Sequence, residues 1–225
     1  TLKTNEEEVL TADKIEIRNS KSDGLIRTAE LDLYPKLSEF LWSEHEIYSK
    51  RIDERRSRNS RGAGGNKWLY PDLVGMEDLS QDWHQEIKNC VKQYADKKTK
   101  LWSFEVKVLI NRSNVREVFF QAVSNSSWAN FGYLIASEIE GADTLKELRM
   151  LSSLHGIGFI RLDAENPSES QVMIPAKERI DIDWNTANRL AEENRDFLDY
   201  IKLVRQFYQT GDVRSTDWDA QSSDD

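Results

Sequence analysis

The sequence predicts an α/β fold, a mixed central β-sheet flanked by helices, and three observations carry that prediction. In LWSFEVKVLI (Leu101–Ile110) the even positions Trp102, Phe104, Val106, Val108 and Ile110 are all apolar, the period of two that marks a strand packed on one face. Leu31, Leu33, Leu37, Phe40 and Leu41 recur at helical spacing, which marks an amphipathic helix. Strand-like and helix-like stretches then alternate along the chain, the rhythm of helices layered on a sheet.

Taken in order, residues 1–29 are polar, with a short strand pattern at Lys14–Arg18, and read as a linker or N-terminal tail. The chain starts at Thr rather than Met, as expected for a trimmed chain or the C-terminal part of a longer protein. The first helix is expected over Asp32–Glu44 and a strand over Glu46–Glu54. A second strand, Asn66–Gly75 (NKWLYPDLVG), contains Pro71; lacking a backbone donor, Pro places it at an edge, at a bulge or where pairing ends. Asp78–Ala95 reads as a helical insertion between two strands. After the Leu101–Ile110 strand, Asn114 stands three positions before Glu117, a capping-box arrangement that opens a helix. Strands are expected at Phe131–Ser137, Gly156–Leu162 and Gln171–Pro175, a helix at Thr144–Leu154, and one long amphipathic helix over Trp184–Gln209. Its outer positions, including Glu192, Glu193, Arg195 and Lys202, are mixed in charge, which suits solvation. From Gly211 the chain ends in a polar, acidic run expected to be disordered. The domain is therefore drawn as residues 30–210, with the tail as 211–225. No internal repeat is visible.

With 225 residues, 38% hydrophobic and 32% charged, the chain can bury one sizeable core. No apolar run reaches the roughly 18 residues of a membrane span, and no basic-plus-apolar leader is present. The single cysteine, Cys90, excludes an internal disulfide framework and fits a reducing cytoplasm; on its helix it reads as a small buried hydrophobe. The net charge of −9 argues against a nucleic-acid partner, but its distribution does not. Residues 50–67 hold seven basic side chains (Lys50, Arg51, Arg55, Arg56, Arg58, Arg61, Lys67) against Asp53 and Glu54, so the segment carries +5 and the rest −14. Basic residues interleaved with glycine suit phosphate contact; a solvated loop is the plainer reading.

The chemistry centres on three residues. Glu105 and Lys107 lie two apart on a strand and share a face. Leu101 and Leu109 on that face argue that it is covered, and a covered carboxylate needs a partner. Asp72 follows Pro71 at the end of another predicted strand. Two carboxylates converging from adjacent strands make a hard oxygen site suited to Mg²⁺, and a lysine beside them can hold a water or steady charge on a phosphate. Those parts suit metal-assisted phosphodiester hydrolysis.

Pro71-Asp72 followed by Glu105-Val106-Lys107 resembles the motif of the PD-(D/E)xK nuclease superfamily, and the order of elements is similar to its restriction-endonuclease-like core. The nearer resemblance is to the HrgA-like family of bacterial restriction-endonuclease-like proteins. It is carried by KWLYPDLVG, LWSFEVKVLINRSNVREVFFQAVSNSSWAN and HGIGFI, and runs from about Tyr34 to about Asp219. The resemblance implies a DNA endonuclease using Mg²⁺ or Mn²⁺, acting in restriction or defence against foreign DNA. Metal would be held by Asp72, Glu105 and the Val106 carbonyl, with Lys107 assisting the attacking water and Gln121 helping to arrange the site. It also implies a glutamate on the first helix, for which Glu39, Glu44 and Glu54 are candidates. Arg55, Arg56, Arg58 and Arg61 would meet DNA phosphates. Cutting both strands of a duplex implies a homodimer or transient pairing. Two other functions fit the same core: a binding or assembly module that does not cut, and a nuclease for junctions or flaps.

Other features carry less. His84 and His155 lack partners at zinc-ligand spacing. HGIGFI lacks the GxGxxG dinucleotide pattern. Ser124–Trp128 reads as turn chemistry at a helix end, with proximity to the site as the other reading. The tryptophans read mostly as core, Trp68 excepted.

Overall fold

In the computed structural model, residues 29–58, 68–93 and 98–219 are described. Residues 29–45 form α1. There follow β1 (Ile47–Arg51), β2 (Leu73–Asp78), α2 (Gln85–Gln93), β3 (Thr99–Ile110), α3 (Val115–Asn125), β4 (Phe131–Ile139), α4 (Ala142–His155), β5 (Gly158–Arg161), β6 (Gln171–Ile174), α5 (Trp184–Glu193) and α6 (Arg195–Thr210). The six strands form one mixed sheet in the order β1-β2-β3-β4-β5-β6. Neighbours are antiparallel except β3–β4 and β4–β5, which are parallel. The predicted α/β class with a mixed, helix-flanked sheet is the observed one.

The strand parity sorts the core. Leu73, Phe104, Val106, Tyr133 and Ile135 pack on Leu33, Leu37, Phe40 and Leu41 of α1, which covers one face of the sheet. Val74, Met76 and Leu101 face Leu190, Phe197, Tyr200 and Val204 of α5 and α6. Leu134, Ala136 and Phe159 meet Val118, Phe119 and Leu148 of α3 and α4. β3 is therefore central and buried on both sides, as parallel-sheet strands are, which explains why its odd face is also apolar at Leu101.

Several boundaries differ from expectation, each for a local reason. The Asn66–Gly75 strand begins only at Leu73 and runs on to Asp78. Asp72 thus opens a strand rather than ending one, because Pro71 has no N–H for the ladder. The expected Glu46–Glu54 strand stops at Arg51 and turns into a short 3-10 helix, Glu54–Arg56, capped by Asp53. Of the Asp78–Ala95 insertion, Gln85–Gln93 is helical. The capping box does not form: Asn114 instead accepts from Asn111 N and donates to Leu109 O. The long C-terminal helix is two, because Asn194 is extended and its side chain accepts from Asp196 N and Phe197 N to start α6. Gly156 ends α4 in the left-handed region, at φ 74°, where glycine is favoured.

Residues 211–219, expected to be disordered, are part of the described structure and pack on the domain. Trp218 is buried and Asp219 N donates to Ser49 O, so this segment closes over β1. Residues 1–28, 59–67, 94–97 and 220–225 lie outside the described residues. Cys90, expected to be buried, is exposed. Trp128 and Trp218 are core, whereas Trp68, Trp83 and Trp184 are exposed. No helix among the described residues is long and apolar enough to cross a membrane.

Candidate active site

The sheet positions three site residues by a local break in pairing. Asp72 is still tied to both neighbours, donating from N to Phe104 O at 3.0 Å and accepting from Ile52 N at 2.9 Å. Past it toward Pro71 the β2–β3 ladder ends, and the Asp72 carboxylate takes up the Val106 N–H, with Oδ2 2.7 Å from the nitrogen. Asp72 therefore reaches across to β3 beside Glu105 and Lys107.

Glu105 is 1% exposed. Its Oε1 accepts from Lys107 Nζ at 2.6 Å and its Oε2 from Asn125 Nδ2 at 2.9 Å. The same Lys107 Nζ donates to Val106 O at 3.1 Å and lies 3.9 Å from Asp72 Oδ2. One ammonium thus faces three oxygens, from two carboxylates and a peptide carbonyl. These are the donors expected to hold a cation.

Burial pushes the Glu105 carboxyl up to about 8, and the charge of Asp72 adds to the rise while Lys107 and Asn125 oppose it. For Lys107 burial pulls the other way, but the charges of Glu105, Asp72 and Glu30 outweigh it and raise the ammonium above its ordinary value. Lys107 is consequently charged at neutral pH, and its ammonium is tied to Glu105 by the hydrogen bond to Oε1.

Two helices supply residues that spacing alone did not reveal. Tyr34 of α1 donates its hydroxyl to Asp72 Oδ1 at 3.2 Å. Burial, with the charges of Asp72 and Glu30, raises the Tyr34 phenol, so it stays a neutral donor. The glutamate of α1 whose charge reaches Lys107 and Tyr34 is Glu30. Glu39 is nine residues on, about 180° round the helix, and is exposed. Glu44 shares Glu30's side but lies roughly 21 Å further along, and Glu54 sits in the 3-10 turn after β1. The predicted start of the helix at Asp32 hid Glu30.

On α3, Asn125 donates from Nδ2 both to Glu105 and, at 2.8 Å, to Tyr70 O. The Tyr70 carbonyl accepts only, which fixes the amide orientation. Asn125 so ties Glu105 to the backbone just before Pro71-Asp72, and belongs to the site rather than to a turn alone. Gln121, one turn earlier, is buried on the same side of the helix. Ser124 Oγ donates to Trp68 O at 3.1 Å, which holds the approach to Pro71 against α3.

The basic segment is only partly brought to this site. Arg56 is bound through Nη1 to Asp196 Oδ1. Asp53 N donates to Asp196 Oδ2 at 3.0 Å, and Asn194 Nδ2 to Asp53 O at 2.9 Å. Tyr70 OH bonds Ser57 Oγ at 2.8 Å and Glu193 Oε2 at 3.0 Å. These bonds clasp the base of the basic segment to the α5–α6 junction. Arg55 and Arg58 are exposed, and Arg61 lies outside the described residues.

Among the described residues no three His, Cys, Asp or Glu side chains gather as a metal cage; the oxygen set is Asp72, Glu105 and the Val106 carbonyl. Three oxygens suit Mg²⁺, which keeps several waters and takes few protein ligands, and the ammonium among them marks the place as one that favours positive charge. No family model, curated protein or solved structure matches the chain.

Proposed function

We propose that the chain is a divalent-metal-dependent DNA endonuclease domain of the PD-(D/E)xK type, hydrolysing phosphodiester bonds in restriction or defence against foreign DNA. The observation that carries this reading is the Lys107 ammonium set against Glu105 Oε1, Val106 O and Asp72 Oδ2. Asp72, Glu105 and the Val106 carbonyl would hold Mg²⁺ or Mn²⁺. The metal would supply Lewis-acid polarisation of the phosphodiester and lower the pKa of a water.

The remaining roles belong to the chain's own residues. Lys107, kept protonated by its carboxylate neighbours, donates to the attacking water or to a phosphoryl oxygen and offsets charge building there; it does not take the proton. Asn125 holds the Glu105 carboxylate from behind, and Gln121 on the same helix lines that side. The exposed Arg55 and Arg58, with Arg61 beyond them in sequence, contact DNA phosphates, and Arg56 joins them only if it leaves Asp196. Cutting both strands of a duplex asks for two such sites, hence a second copy of the chain. A reducing compartment such as the cytoplasm fits the lone, exposed Cys90.

The test is cleavage of supercoiled, linear, branched and single-stranded DNA, with Mg²⁺, Mn²⁺ or chelator, by wild type, Glu105→Gln and Lys107→Ala. Metal-dependent cutting of duplex that both substitutions abolish is the expected result. Preference for branched substrates would reassign the chain to junctions or flaps. Binding without cutting on any substrate would make it a non-catalytic module.

A further inference from the structure

Resting on that reading, we propose that Tyr34 is a positioning residue serving two functional groups at once: its hydroxyl sets the Asp72 carboxylate, and its ring seats Arg51, which binds a phosphate of the nucleic-acid backbone beside the scissile one. Tyr34 OH is 3.2 Å from Asp72 Oδ1, and the Arg51 guanidinium carbon lies 5.0 Å from the centre of the same ring. A cation over a tyrosine face is attracted by the ring quadrupole, so a single side chain fixes the distance between a metal-binding carboxylate and an exposed cation.

The strand geometry puts Arg51 there. It is the last residue of β1 and pairs with Leu73, the residue after Asp72. Ile47 and Ser49, four and two residues before it, face α1; Ser49 Oγ contacts Ser38 Oγ at 2.8 Å. Arg51 therefore leaves the sheet on the α1 side, where Tyr34 waits. Its backbone is pinned, with N donating to Asp219 Oδ2 at 2.5 Å, while its side chain is solvent-facing.

The cations differ in what they already hold. Arg56 is engaged by Asp196 and Arg116 by Glu147. Among the described residues no carboxylate forms an ion pair with the Arg51 guanidinium. A planar guanidinium resting on a ring keeps its N–H edge for an incoming group, and phosphate matches that fork in two places. The ligand class is thus a nucleic-acid phosphate adjoining the site at Asp72.

The experiment separates the two limbs by two readouts on the full chain. Mn²⁺ affinity is measured by calorimetry without DNA, and duplex affinity by fluorescence anisotropy in chelator across a salt series. Tyr34→Phe keeps the ring and removes one oxygen. It is expected to weaken Mn²⁺ binding about tenfold and leave the salt dependence of duplex binding as in wild type. Arg51→Ala is expected to do the reverse: Mn²⁺ affinity unchanged, duplex affinity reduced, and the log–log salt slope shallower by about one. Arg51→Lys keeps that slope, and Arg149→Ala, on the exposed side of α4, changes neither readout. Circular dichroism melts confirm that each variant is folded, and the isosteric Tyr34→Phe is chosen because it fits the same space. Mn²⁺ affinity equal to wild type in Tyr34→Phe, or an unchanged slope in Arg51→Ala, overturns the proposal while leaving the nuclease reading intact. A slope change in Arg149→Ala as large as in Arg51→Ala overturns it too. A wild type that takes up neither Mn²⁺ nor duplex overturns the reading, and this proposal with it.

Discussion

At the residue scale, the pair Glu105–Lys107 makes stability depend on pH in a definite sense. Burial raises the Glu105 carboxyl to about 8 from an ordinary 4.5. Between those values the folded chain holds a proton that the unfolded chain has released. The stability linked to Glu105 is therefore complete below about pH 4.5 and lost as pH rises through 8. Lys107 is raised above its ordinary 10.5, so its contribution is constant over the same window and disappears only in stronger alkali. In chelator, the urea midpoint of wild type should fall from pH 5 to pH 8.5, and Glu105→Gln should remove the part of that slope due to this carboxyl. Lys107→Met removes the attraction that holds Glu105 down, so its slope should extend to higher pH; a Glu105→Gln slope equal to wild type would assign the effect elsewhere. Asp72, Glu105 and Lys107 were legible in the sequence because their spacing is a motif and β3 is strictly periodic. Glu30, Tyr34 and Asn125 were not. Tyr34 is 38 residues from Asp72 and Asn125 20 from Glu105, and only the packing of α1 and α3 on opposite faces of the sheet brings them in.

At the scale of elements, the same distinction decides which boundaries could be read. β3, β4, α3 and α4 follow their hydrophobic periods closely. β2 was displaced because the aromatic, apolar run before Pro71 imitates a strand, whereas the residues that pair are those after it. The stretch Trp184–Gln209 reads as one helix because apolar spacing continues through Asn194. What breaks it is capping: Asn194 satisfies two backbone donors of α6 and sends its Nδ2 to Asp53 O. Asn194 is 1% exposed, so these bonds have no water to replace them. Asn194→Ala should cost about 2 kcal/mol, one part from the lost cap and one from the carbonyl left without its donor. Asn194→Asp keeps the cap acceptors but not the donor, so urea denaturation should show it recovering part of that loss. Equal stability of Asn194→Ala and wild type would mean that α6 is started by something other than this side chain.

At the scale of the whole molecule, the chain closes on itself through a segment that composition alone assigns to disorder. Its acidic, serine-rich end is polar enough to read as a tail, yet Trp218 sits inside it as a single large apolar anchor. Trp218 lies 5.6 Å from the Tyr48 ring and 6.1 Å from the Tyr200 ring, between β1 and α6 and in one cluster with Phe207. Lys50 Nζ donates to Asp217 O at 2.9 Å, and Asp219 bonds the backbone of Arg51. One aromatic side chain thereby joins the last helix to the first strand, the strand that ends at Arg51 beside Asp72. Burying the tryptophan offsets part of the entropy cost of ordering the polar residues around it, and the bonds from Lys50 and to Asp219 add to that. Trp218→Ala should destabilise the protein by about 3–4 kcal/mol through the cavity it leaves. It should also release residues 211–219, seen as faster amide exchange at Asp219 than in wild type. If the closing segment only covers β1, duplex binding by the folded fraction should match wild type. If it also fixes where β1 ends, duplex affinity should fall in parallel with Arg51→Ala, and anisotropy in chelator at a temperature well below the melt distinguishes the two.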